Sequence, residues 1–463
     1  MKTTEPTKTT EPMPDGASTR RPSTGSGHIG RLTAVTMGIG AVAALVLAAL
    51  VFGGATEPVI TAVVLVAFAA TWWAYAVLST RRTDQPQRWA RVPAVVTGVL
   101  GIASLVLRPT AEAMSALGWV WPIGLVALAV WMIVQSRRSL HSWSRRAVLY
   151  PIFTLMVVGG LGGAYETVRE AQDRSTFAMP GQLVEVGGHR LHIHCTGTGS
   201  PTVVLEGGLG EPATMMEGWI APAVASTTRV CVYDRAGRGW SDPAPESQDG
   251  LAVVADLHTL LERHGEVGPF VLAGHSSGGV YAQAYAATYP DDVAGLVLLD
   301  SQPADALTRL PDYPAFYAGF RKATGVMPSA SRFGLMRLIS TTVAGSLPDH
   351  DRAEERAFLS TANHNRSLRD ELLALPSAMD RARSLTTLGA KPLVVVSAQK
   401  DAQTGWLPLQ DELARLSTNS DHRVLDDVDH ASLTEDEAAA EISSRAVTDV
   451  VQSLRSNTPV PTR

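Results

Sequence analysis

The sequence predicts two unlike parts: N-terminal all-α transmembrane helices, then an α/β domain with a mostly parallel sheet and an inserted helical cap. Three observations carry this reading. The 463 residues sum to a formal charge of −5, but residues 1–179 carry +7 (16 basic against 9 acidic) and residues 180–463 carry −12 (23 against 35). Long uncharged apolar runs occur only in the first part, and from Gly181 onward short apolar runs alternate with helical patterns. Such a split marks regions that meet different solvents. The length suffices for at least one full core, which excludes disorder throughout, a disulfide mini-scaffold and a collagen-like fibre. The acidic second part argues against a nucleic-acid partner.

Residues 1–28 are rich in Thr, Pro, Ser and Gly and nearly lack large apolar side chains. They cannot bury enough surface to offset their ordering entropy and read as a disordered tail. A helix crosses a hydrocarbon layer of roughly 30 Å in about 20 residues. Five runs approach that length, at 32–52, 59–78, 92–107, 117–134 and 147–164, the third being the shortest. A membrane domain is therefore expected over 29–165, with a linker at 166–180. The first run is not a signal peptide on this reading, because its leader is long and other apolar runs follow closely.

Arginines give the orientation. Arg20, Arg21 and Arg31 precede the first run, Arg81, Arg82, Arg88 and Arg91 separate the second from the third, and Arg137, Arg138, Arg145 and Arg146 separate the fourth from the fifth. The alternate loops hold none at 53–57 and only Arg108 after the third run. Basic loops stay in the cytoplasm, so the N-terminus is expected inside and the region after Ala164 outside. No charged residue sits in mid-span, as an ion or proton pathway would need. Anchoring is the expected role.

Strands come next. Residues 182–186 and 190–195 alternate around Gly187-Gly188 and read as a β-hairpin. Continuous apolar runs at 202–205, 230–233, 270–273, 293–299 and 392–397 read as strands covered on both faces. Helical patterns at 251–264 and 280–289 lie between them, which argues for a mostly parallel sheet. Residues 302–390 interrupt the alternation with a proline-punctuated helical pattern and read as a cap.

One motif carries chemistry. Gly274-His275-Ser276-Ser277-Gly278 follows a strand and precedes a helix, the context in which G-x-S-x-G presents a serine on a sharp turn. On this motif residues 181–455 resemble the α/β-hydrolase superfamily. Further blocks support the resemblance: 203–210 for the first oxyanion loop, with Glu206 where many members have His; Asp234-Arg235-Ala236-Gly237-Arg238-Gly239 for the Gly-rich block; and 296–300 and 393–401 for the strands after the nucleophile. The resemblance implies an eight-stranded sheet and a serine hydrolase of the esterase, lipase or amidase type, which the apolar runs before it would anchor in a membrane.

Serine is nearly inert at neutral pH, so it needs a base, and the base needs a carboxylate. His430, in Asp429-His430-Ala431, is expected as the base; His422 belongs at the wrong end of its strand. Asp401 stands where the family usually keeps the acid and is the leading candidate, with Asp300, at the end of the preceding strand, as the alternative. Asp234, Arg235 and Asp242 are expected to hold the neighbouring loop. Oxyanion donors are expected from the backbone N–H groups of Ser277 and Gly208, with Leu209 as the alternative to Gly208. A dehalogenase or epoxide hydrolase of this family would need Asp at position 276. No metal or nucleotide motif is present, so no cofactor or metal is implied.

The resemblance also places Cys195 and Cys231 on antiparallel neighbouring strands. A disulfide is then possible, and an extracytoplasmic location permits it; two buried thiols are the alternative. Tyr313, Phe316, Tyr317, Phe320, Phe333 and Phe358 of the cap suit an apolar, lipid-like acyl substrate, though a cap also needs such residues to pack. A ligand-binding membrane receptor or scaffold, and a transacylase, are the competing functions. Residues 456–463 read as a second disordered tail.

Overall fold

The computed structural model describes residues 1–3, 28–140, 142–245, 248–342 and 345–462. Nearly all of the expected N-terminal tail therefore lies outside the described residues.

The N-terminal part contains α1 (His28–Val46), which runs on as a π-helical turn over Leu47–Val51, then α2 (Glu57–Arg82) and α3 (Arg91–Leu107). It continues with α4 (Ala111–Leu117), α5 (Trp121–Ser139), α6 (Trp143–Ala147) and α7 (Tyr150–Thr176). Pro58, Pro122 and Pro151 each stand in a first turn, where the missing N–H leaves no helical bond unmade. Among the described residues four helices are long and apolar enough to cross a membrane, and the pair α4 and α5, bent by 47° at their break, would make a fifth as one span. Packing inside the bundle is close. A side chain at Gly101 of α3 would meet the Ala62 carbonyl oxygen of α2 at 3.1 Å, and Trp72 is buried among Phe68, Tyr75 and Trp89.

Two expectations change here. The fourth run straddles the α4–α5 break, so its helix starts at Trp121 rather than at Leu117. The linker expected at 166–180 is helical over most of its length, because α7 continues to Thr176 through Glu166, Arg169, Glu170, Asp173 and Arg174, and only 177–181 are irregular before β1. The pairs Arg169–Asp173 and Arg174–Glu170, spaced by four, support that extension.

The second part holds an eight-stranded sheet in the order β1-β2-β4-β3-β5-β6-β7-β8. The strands are β1 (Gln182–Glu185), β2 (Arg190–Thr196), β3 (Val203–Glu206), β4 (Val230–Tyr233), β5 (Phe270–His275), β6 (Val293–Leu299), β7 (Leu393–Ala398) and β8 (Ser420–Leu425). β2 is antiparallel to β1 and β4; every other pairing is parallel. Helices α8 (Ala213–Gly218), α9 (Ile220–Ala225), α10 (Gly250–His264) and α11 (Ser277–Thr288) follow early strands. The cap supplies α12 (Ala306–Arg309), α13 (Tyr313–Thr324), α14 (Met327–Arg332), α15 (Leu335–Ser340), α16 (Asp349–Ser360) and α17 (Ala362–Arg383). α18 (Trp406–Ala414), α19 (Ser432–Glu435) and α20 (Glu437–Ser456) complete the chain.

Both sheet faces are covered. Leu257, Tyr281, Leu375 and Leu409 of α10, α11, α17 and α18 pack on one side; Met216, Val224, Val447 and Val450 of α8, α9 and α20 pack on the other. This double cover is why the central strands read as unbroken apolar runs. Cys195 and Cys231 face each other across β2 and β4 and are joined as a disulfide. Over its described residues, 456–462, the expected C-terminal tail is held in place: Val460 is buried, its N–H donates to Asn419 Oδ1 at 2.8 Å, and the Pro461 carbonyl accepts from Arg423.

The two parts meet through the cap. Glu57, at the start of α2, is buried between Arg332 (3.0 Å) and Arg366, and Arg337 pairs with Glu166 (2.6 Å) and Asp173 (2.9 Å) of α7. The Phe333 ring lies edge-on to Trp121, 5.0 Å between centroids. At the opposite end of the bundle, near the clustered arginines, Gln87 and Trp89 bond to Ser139.

Candidate active site

Ser276 sits between the end of β5 and the start of α11 at φ 54°, ψ −124°. A non-glycine residue there costs about 1–3 kcal/mol, which the surrounding structure must supply. Its N–H donates to the Leu299 carbonyl (3.1 Å), and its carbonyl accepts from Gln302 (3.0 Å) and Gly279 (3.1 Å). The flanking glycines have a steric reason. A side chain at Gly278 would stand 2.2 Å from the Glu206 carbonyl oxygen, and one at Gly274 would stand 2.5 Å from the Gly279 nitrogen.

His430 lies in the turn after β8, where its Nδ1 is 2.6 Å from Asp300 Oδ2. Asp300 is buried at the end of β6, in the left-handed region at φ 41°. Its other oxygen accepts from Trp406 Nε1 (2.8 Å) and the Ala398 N–H (3.3 Å). A buried carboxylate satisfied in this way stays oriented. Asp401, the leading sequence candidate for the acid, is elsewhere: it accepts the backbone N–H of His430 at 3.0 Å and holds the loop rather than the ring. The structure thus puts the alternative, Asp300, on the imidazole. Trp406 was not expected; one tryptophan in a helix after the cap carries no local signal.

The oxyanion candidates are also placed. Gly208 lies against the nucleophile, since a side chain on it would stand 3.0 Å from Ser276 Cβ. Its N–H donates to Glu211 Oε2 at 2.6 Å. Among the described residues the N–H groups of Leu209 and Ser277 have no partner. The Ser277 hydroxyl donates to Glu371 Oε1 at 3.1 Å. Arg235 braces the loop by donating to the carbonyls of Gly207 and Gly208, both at 2.7 Å. Glu371 of α17 pairs with Arg235 (3.0 Å) and with Arg238, so the cap is tied to the oxyanion loop. Asp234 accepts from the Ala213 N–H at 2.8 Å and contacts His192 at 2.8 Å, and Asp242 pairs with Arg190 at 2.6 Å.

Burial sets the electrostatics. It raises Glu206, which stands where many members have His, to about 7, although Arg235 and the Tyr233 hydroxyl pull it down. His275 is driven down by burial but carried upward overall by Glu211, 2.7 Å from its Nδ1. Glu211 is pushed up by burial and brought below the ordinary range by His275 and the Gly208 N–H. The other His275 nitrogen lies 3.1 Å from the His430 carbonyl, which it helps to hold. Glu371 is held low because Arg235 and Arg238 outweigh its burial.

A second Ser, His, Asp constellation shows what composition alone does not give. Ser397 Oγ is 2.8 Å from His422 Nε2, and His422 Nδ1 is 2.7 Å from Asp411. Ser397 is fully buried inside β7, so no substrate reaches it.

The model of the alpha/beta hydrolase fold matches residues 201–437. An uncharacterized protein of Schizosaccharomyces pombe, C23C11.06c, is 28% identical over 290 residues, 55% of this chain and 53% of that protein. Lipase LipV of Mycobacterium tuberculosis is 44% identical over 109 residues, 21% of this chain and 40% of the lipase. The chain thus spans about half the length, or less, of these curated relatives. Among solved structures, the Cif epoxide hydrolase of Acinetobacter nosocomialis aligns with a TM-score of 0.52 and 17% identity, over 62% of this chain and 96% of that one. That likeness is one of fold. The elbow, the sheet order and the matched segment have one meaning: the chain belongs to the alpha/beta hydrolase fold family.

Proposed function

We propose that this chain is a membrane-anchored serine hydrolase that cleaves a carboxylic ester or amide through an acyl-enzyme on Ser276. The observation that carries the reading is the 2.6 Å contact of His430 with the buried Asp300, on the edge of the sheet where Ser276 is held at φ 54°. Ser276 Oγ attacks the carbonyl carbon and its proton passes to His430 Nε2. The tetrahedral oxyanion is met by the N–H groups of Ser277 and the Gly208–Leu209 turn, each donor worth roughly 3 to 4 kcal/mol. Collapse expels the alcohol or amine, which takes the proton from His430. Water, deprotonated by the same imidazole, then releases the acid and restores Ser276. Asp300 fixes the tautomer and stabilises the imidazolium. The similarity to a lipase supports an ester substrate.

The same proposal places five spans in the membrane and the catalytic domain on the extracytoplasmic side. The arginine-poor ends of the helices face the cap, and the arginine-rich loops lie at the other end. The Cys195–Cys231 disulfide suits an oxidising compartment. Labelling by an active-site fluorophosphonate tests the assignment: wild type is expected to label and Ser276→Ala to lose all label, and persistent labelling of the variant would overturn it.

A further inference from the structure

The cap packs beside the membrane helices and not merely above them. A side chain at Gly159 of α7 would stand 3.2 Å from the Phe333 ring, one at Gly162 2.5 Å from the Phe333 carbonyl oxygen, and one at Gly163 2.9 Å from the Arg332 carbonyl oxygen. All three glycines belong to the fifth apolar run. The turn between α14 and α15 therefore reaches the depth of that run.

The cap's outer surface is apolar there. Phe316 is 55% exposed, Leu335 51%, Leu338 68% and Ile339 52%. Leu335, Leu338 and Ile339 are spaced i, i+3, i+4 and form one stripe on α15. Arg337 turns the other way, toward Glu166 and Asp173. On α7, Leu155, Val158, Leu161 and Tyr165 are exposed apolar side chains as well. Charge agrees with it. Residues 313–340 contain four basic residues and no acidic one, inside a part of the chain that carries −12. Arg332 and Arg337 are paired with Glu57 and Glu166, while Arg321 and Lys322 are exposed beside Gly53 and Gly54, where the first helix ends.

We infer that α13 to α15 rest in the bilayer surface, with Phe316, Leu335, Leu338 and Ile339 in lipid and Arg321 and Lys322 at anionic headgroups. This rests on the membrane reading above. A segment with one apolar face and flanking basic residues lies at such an interface, and an apolar patch left in water would invite association instead.

The test uses the full chain in nanodiscs of phosphatidylcholine and phosphatidylglycerol. Both native cysteines are consumed by the disulfide, so an introduced one labels alone. L338C and I339C each carry an environment-sensitive fluorophore; V99C on α3 is the lipid control, and V267C, exposed at the opposite end of the sheet, is the water control. With brominated lipid, L338C and I339C are expected to lose as much emission as V99C while V267C keeps its own. Quenching at V99C but at neither cap site overturns the inference and leaves the membrane reading intact; a second copy covering the stripe would give that result. No quenching at V99C overturns the membrane reading itself.

Discussion

Asp300 and Asp401 both hold His430, one by its ring and one by its backbone, and the two contacts have different consequences. Asp300→Asn keeps the shape but removes the anion that fixes the tautomer, so kcat is expected to fall by about four orders of magnitude. Asp401→Asn weakens one hydrogen bond to an exposed loop, worth about 1 kcal/mol, and is expected to cost less than about tenfold. Steady-state hydrolysis of a chromogenic ester by both variants checks the pair; equal losses would reverse the assignment. The sequence could name Ser276 and His430 because motif context and chain position single them out. It could not choose between the acids, since both follow strands that end at the same edge. In the proposed triad the choice of Asp300 rests on its left-handed kink and on Trp406, 106 residues away, which fixes one carboxylate oxygen. The Glu211–His275 pair was likewise hidden, and Arg235 was expected to hold a loop but its partners, the carbonyls of Gly207 and Gly208, were not named, because both are contacts between segments that meet only after folding.

At the scale of elements, apolar runs and alternation were enough to place seven of the eight strands and most of the long apolar helices, because burial on both faces and an all-round apolar helix surface leave direct marks on composition; β8 (Ser420–Leu425), with Asp421, His422 and Arg423 inside it, carries no such run. Breaks were less legible. The bend between α4 and α5 lies at Gly118, Trp119 and Val120, residues that a hydropathy reading takes as uninterrupted span. The charged extension of α7 looks like a linker until its pairs at spacing four are counted. The joint between cap and bundle depends most on Glu57, a buried carboxylate shared by Arg332 and Arg366. Glu57→Ala leaves two guanidinium groups half-buried and unpaired, and removing one partner of a buried pair costs about 3–5 kcal/mol. A lowered melting temperature in detergent, with the ester kcat largely retained, is the expected result; an unchanged melting temperature would show that the contact contributes little.

For the whole molecule, buried carboxyl groups shape the pH dependence of stability. Burial raises Glu206, Glu355 and Glu435 to about 7 each, with neighbouring glutamates adding to the effect at all three. Groups shifted upward bind more protons folded than unfolded, so their contribution is complete below the ordinary glutamate pKa and is lost as pH rises through about 7. Glu211 and Glu371 are shifted downward and act oppositely, losing their contribution in acid. Thermal stability is therefore expected to fall between about pH 5 and about pH 8. Glu355→Gln should shallow that fall, and a slope identical to wild type in a melting series would count against the buried charge at Glu355.

The unbroken helix α7 has a further consequence. From Ala164 to Thr176 it rises by about 18 Å at 1.5 Å per residue, with ion pairs along it and only the irregular residues 177–181 between it and β1. In the proposed arrangement it acts as a ruler. With the cap's ion pairs to α2 and α7 holding the two parts together, the nucleophile works at a set height, and a substrate must come to that height.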